Sequence, residues 1–94
     1  MYNEKLRKME LQLEVYTLKK DKYYILWEIK NEELDIEIKK STDTNKIKQL
    51  RKKKTKYYTK RAEYESKEKD QKEKIKKYSE QGKAKIISKF LLNS

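Results

Sequence analysis

The sequence contains no proline, no cysteine, no histidine and a single glycine, Gly82. Proline and glycine interrupt helices most strongly, so their near absence permits long, unbroken helices. Without cysteine there is no disulfide and no thiolate chemistry. Without histidine as well, the usual zinc donor sets cannot be assembled, and no metal or other cofactor is expected. No run approaches the roughly 20 apolar residues that span a bilayer, and Met1-Tyr2-Asn3-Glu4-Lys5 lacks the apolar stretch of a secretory leader. The chain reads as cytoplasmic, with no membrane span. Catalytic parts are scarce too: Glu32 with Glu33, and Glu63 with Glu65, are neighbouring carboxylates set among lysines, with no glycine-rich phosphate loop. A non-enzymatic protein is expected.

What is present is charge and aromatic surface. Charged residues make up 46% of the 94-residue chain and hydrophobic residues 34%, a balance that approaches the disordered class; eight tyrosines, Trp27 and Phe90 supply the buried surface that a disordered linker lacks. A chain this short has room for one thinly cored domain spanning residues 1–94. The charge is divided unevenly. Residues 1–40 carry nine basic and nine acidic groups and are neutral, whereas residues 41–94 carry eighteen basic and seven acidic groups, the whole excess of +11.

In the first arm, Leu6, Met9, Leu13, Tyr16, Tyr23, Trp27 and Leu34 follow steps of three, four or seven, with Lys20 and Lys30 filling the gaps, which is the seam of a heptad helix. Ser41-Thr42-Asp43-Thr44-Asn45 then gathers residues that favour caps and turns. The rhythm resumes through Ile47, Leu50, Lys54, Tyr57, Arg61, Tyr64, Glu68, Gln71, Ile75 and Tyr78 and reaches Gly82, a common helix stop. The expected fold is therefore all-α: a long antiparallel, coiled-coil-like hairpin with helix 1 over about 3–40, a turn at 41–45, helix 2 over about 46–81 and a short C-terminal amphipathic helix at 83–94. A turn near residue 42 pairs residues whose numbers sum to about 84, so that Leu34 meets Leu50 and Leu6 meets Tyr78. The same register sets Trp27 against Tyr57, Arg61 against Tyr23 and Lys20 against Tyr64, and leaves one unfavourable layer, Lys30 against Lys54. A competing reading takes the alternation of Met9, Leu11, Leu13 and Val15, and of Leu34, Ile36 and Ile38, as strands; the segments between them lack the glycine of a tight turn.

On a helix, that alternation creates a second apolar stripe opposite the seam: Leu11, Val15, Leu18, Ile25, Ile29 and Ile36. It is too long for residues 83–94 to cover, so self-association is expected. The homo-oligomer would most simply be a dimer in which first helices meet in a four-helix bundle.

The stretch from Lys46 to Arg61 holds nine basic residues and no acidic one. Lys46, Lys53 and Lys60 recur every seven residues and Lys48, Lys52 and Lys56 every four, rows of ammonium groups suited to a phosphate backbone. With Arg51, Arg61 and Tyr58, which can stack on unpaired bases, they form a candidate nucleic-acid surface with little sequence preference. The alternative is a protein-interaction module, an adaptor or inhibitor that uses the apolar face of helix 1 and is steered by its lysines toward an acidic protein partner. Arg51-Lys52-Lys53-Lys54 also reads as a short basic import-type cluster, and Lys83 to Leu92 has the make-up of a basic amphipathic peptide suited to docking, a partner's groove or an anionic membrane.

Overall fold

The structure, a computed structural model, describes residues 3–40 and 43–92, with side chains up to residue 82. Two helices account for it: α1, Glu4–Lys40, and α2, Thr44–Leu92, packed against each other along their lengths. At 1.5 Å per residue they span about 55 and 73 Å, and the hairpin measures 79 × 17 × 14 Å. No strand occurs among the described residues, and no helix among them is long and apolar enough to cross a membrane.

Each helix is started by a side chain that accepts from otherwise free backbone donors. Asn3 Oδ1 accepts from the amides of Lys5 (3.0 Å) and Leu6 (3.4 Å). Asp43 Oδ1 accepts from Lys46 at 3.2 Å. The expected turn is therefore shorter than 41–45: Ser41 and Thr42 lie outside the described residues, Asp43 is the cap, and Thr44 and Asn45 already belong to α2.

All nineteen seam positions of the two arms are buried or half-buried, and the layers keep the antiparallel register. Cross-helix partners have residue numbers that sum to values between 80 (Tyr23 with Tyr57) and 88 (Lys20 with Glu68). Leu34 and Leu50 are the buried apolar pair next to the turn, and at the open end Asn3 Nδ2 donates to the Tyr78 hydroxyl at 2.6 Å.

The middle of the seam is aromatic and polar. Tyr57, Tyr23, Tyr64 and Tyr16 form a ladder drawn alternately from the two helices, with centroid separations of 6.3, 5.7 and 6.4 Å. Such pairs add attraction beyond the area they bury. The ladder corrects two expected contacts. With Tyr23 against Tyr64, the Arg61 guanidinium moves aside to lie 4.7 Å from the centroid of Tyr24, and Lys20 reaches past Tyr64 to Glu68. Likewise Trp27 takes Lys54 over its ring at 5.3 Å. That placement relieves the layer expected to be unfavourable, because Lys30 turns to Glu33 at 2.9 Å on its own helix.

Glu68 and Gln71 are buried in the seam, where an unpaired polar group would be costly. Glu68 accepts from the Thr17 hydroxyl at 2.7 Å and from Lys20 at 3.1 Å; Gln71 Nε2 donates to the Met9 carbonyl at 3.0 Å. No buried side-chain nitrogen or oxygen among the described residues lacks a partner. The Thr17 hydroxyl first, and then Lys20, hold the Glu68 carboxyl below its ordinary 4.5. A carboxyl depressed in the fold stabilises it at neutral pH, and this contribution disappears as pH falls through the folded value.

α2 does not stop at Gly82. It continues to Leu92, so α2 runs about 20 Å past its Tyr78 contact and residues 83–92 prolong it instead of forming a separate short helix. A glycine stop needs a left-handed residue, and Gly82 has no positive φ. With no proline beyond it, one glycine costs a helix only about 1 kcal/mol relative to alanine.

Two predictions follow from this packing. Nothing lies within 4 Å of a β-carbon built at Gly82, so Gly82→Ala should stabilise α2 by about 0.5–1 kcal/mol and increase helicity in far-UV circular dichroism; a loss of helicity would mean that Gly82 terminates the helix. Glu68→Gln should cost about 1–3 kcal/mol in urea denaturation at neutral pH. That deficit relative to the parent chain should narrow between about pH 5 and pH 3, as the parent carboxylate is protonated.

Candidate nucleic-acid interface

The nine residues of the candidate basic surface lie on the first five turns of α2, and the fold sorts them into two groups. Lys48, Arg51, Lys52, Lys53 and Lys56 are exposed and make no ion pair among the described residues. Tyr58 is exposed as well, at 57%. At 100° per residue these side chains fan over more than half of the helix circumference, from the outward face round to the flank where Arg51 and Tyr58 border α1. Lys52 and Lys56 point outward, Lys53 lies to one side, and Arg51 and Tyr58, seven residues apart, lie to the other.

The remaining three are engaged within the hairpin. Lys46 reaches across to Glu37 at 3.2 Å. Lys60 lies 3.6 Å from Glu63, which also holds Lys67 at 3.3 Å; the Lys67 hydrogen bond first, and then the Lys60 charge, keep the Glu63 carboxyl below its ordinary value. Arg61 covers Tyr24, whose hydroxyl is pushed above the usual phenol range by its hydrogen bond to Glu28 against the opposing pull of Arg61.

Sequence periodicity alone did not separate these groups. The acid-free run looks uniform, but Glu37 comes from α1 and Glu63 from just beyond the end of the run. Two threonines within the run are self-satisfied: Thr55 and Thr59 donate to the carbonyls of Arg51 and Thr55, each at 3.0 Å. They leave the backbone helical and add no charge between the lysines.

Beside the run lies an open hollow of about 660 Å³ that periodicity also missed. Trp27, Leu34, Asp35 and Ile38 form its α1 wall, and Arg51, Lys54, Thr55 and Tyr58 its α2 wall. Asp35 makes that side less favourable to an anion than the outward face of Lys48, Lys52 and Lys56.

The apolar stripe of α1 is uncovered. Leu11 is 42% exposed, Val15 41%, Leu18 68%, Ile25 54%, Ile29 44% and Ile36 55%. Tyr24 and Ile38 flank it, so of the large exposed hydrophobic side chains among the described residues only Tyr58 is on α2. Compared with protein-family models, with curated proteins and with solved structures, the chain matches none.

Proposed function

We propose that this is a non-enzymatic helical hairpin that binds nucleic acid through phosphate contacts made by the first turns of α2. The observation that carries the reading is the open group: five exposed cations on three turns, with no carboxylate of the described residues paired to any of them. Cations that need not give up an internal partner can neutralise phosphates and release the counterions bound there. Their spread to both sides of α2 lets them meet phosphates on either side of the helix. Four of the five are lysines, flexible point charges suited to phosphates, which favours affinity with little sequence preference. Tyr58, exposed beside them, can stack on an unpaired base. Lys46, Lys60 and Arg61 act second, since each must leave Glu37, Glu63 or Tyr24 to reach a phosphate.

The second reading, a coiled-coil interaction module, is favoured by the exposed stripe on α1. It concerns a different face of the molecule and is compatible with phosphate binding by α2.

Fluorescence anisotropy with labelled single- and double-stranded DNA and RNA over a salt series tests the first reading. Binding should weaken steeply with salt. Changing Lys48, Lys52, Lys53 and Lys56 to Gln should reduce the salt slope by about 3–4, whereas changing Lys46 and Lys60 to Gln should reduce it by less than about 1. An absence of binding near physiological salt would sink the proposal, as would equal effects per lysine from both sets.

A further inference from the structure

The exposed stripe on α1 is a second complete heptad seam. Leu11, Val15, Leu18, Ile25, Ile29 and Ile36 leave two gaps in steps of four and three, and the gaps are filled by Lys22 and Glu32. Both are exposed and neither makes an ion pair among the described residues, although Lys22 Nζ lies 5.5 Å from the Tyr23 ring centroid. The two charges have opposite sign and stand five residues to either side of Trp27. Ile25 and Ile29 stand two residues to either side of it, and Leu18 and Ile36 nine.

That symmetry fits one occupant. We propose that the stripe is covered by a second copy of this chain, α1 against α1, antiparallel about a two-fold axis level with Trp27. In this register Ile25 of one copy packs on Ile29 of the other, Leu18 on Ile36, and Lys22 pairs with Glu32, each contact occurring twice as an isologous interface requires. Val15 meets Lys39, whose aliphatic stem can cover it.

The alternatives place charge badly. A parallel pair sets Lys22 on Lys22 and Glu32 on Glu32 inside the apolar stripe. Slipping the antiparallel pair by one heptad sets Lys22 on Ile25 and Glu32 on Val15, or, in the other direction, Glu32 on Ile29 and Lys22 on Lys39. Each leaves a charge without its partner, which is how polar residues in a seam fix register. The chosen register carries two opposing features: Leu11 falls opposite position 43, beyond the end of α1, and Asp21, Glu28 and Asp35 come near their two-fold mates along one edge. That edge is open to water and salt, where like charges are screened, whereas Lys22 and Glu32 lie within the stripe.

Because the stripe is nearly opposite the α1·α2 seam, the dimer is a flat layer of four helices with α2 on each outside, in place of a compact bundle. The basic runs then lie on opposite faces and on opposite sides of the two-fold axis. This gives two separated phosphate-binding surfaces.

Charge exchange tests the register on the full chain by sedimentation velocity, with helicity checked by circular dichroism. The parent protein should be a dimer at micromolar concentration. Lys22→Glu and Glu32→Lys should each weaken the dimer at least about tenfold while leaving the hairpin helical. Mixing the two single variants should restore a dimer, and so should combining both changes in one chain. A monomeric parent chain, single variants that dimerise like the parent, or a double variant that stays dissociated would each overturn the proposal.

Discussion

Two helices can bury one seam, and everything else in this molecule depends on that constraint. A helix pair offers no third element to close over a second face, so only a narrow line of side chains leaves water. Leu34 and Leu50 are the two buried apolar residues among those described; Leu6, Met9, Leu13, Ile47 and Ile75 are half-buried, and the rest of the line consists of tyrosines, Trp27, Arg61, lysine stems and the Glu68 and Gln71 side chains. Polar groups in such a seam are tolerable because each is paired, and they help set the register in which the arms lie. The Lys20, Thr17 and Glu68 cluster and the Gln71 contact to Met9 fix α2 along α1 more specifically than apolar contacts alone would.

The same constraint divides the surface. α1 is electrically neutral and apolar on its outer side; α2 is basic on its outer side and nearly free of exposed apolar residues over its described side chains. A partner for α1 must therefore bring apolar surface, and a partner for α2 must bring negative charge. The two faces point in nearly opposite directions, so the proposed assembly and the proposed phosphate binding do not compete for one surface. The double reading of the sequence, as nucleic-acid binder and as interaction module, thus reflects two faces of one rod.

Much of the fold was legible because heptad spacing is a geometric signal: the same steps that named the seam positions reappear as the positions shielded from solvent. The start of α2 was legible because Asp43 sits in a run of cap-favouring residues, whereas the Asn3 cap of α1 was not read. Two further features escaped. Gly82 was read as a stop from its residue type, whereas termination depends on a backbone angle that the following lysine and alanine give it no cause to adopt. Partner choice within layers also escaped, because spacing says which residues share a layer and not which way each side chain turns. Arg61 lost Tyr23 to Tyr64 and took Tyr24; Lys54 found Trp27 and so avoided Lys30. In the candidate interface, spacing showed the run of cations, but the carboxylates that restrain Lys46 and Lys60 come from outside it.

The central claim is the single antiparallel seam with its turn near residue 42. Because the chain has no cysteine, spin labels can be placed uniquely at Lys8→Cys and Lys76→Cys, two exposed positions near the open end. Their separation is to be measured by pulsed dipolar spectroscopy, with unlabelled protein in excess to remove distances between copies. The hairpin predicts a separation below about 30 Å, the combined width of two helices and the label arms. A distance on the order of 100 Å, as expected if the two helices ran on in line, would contradict it.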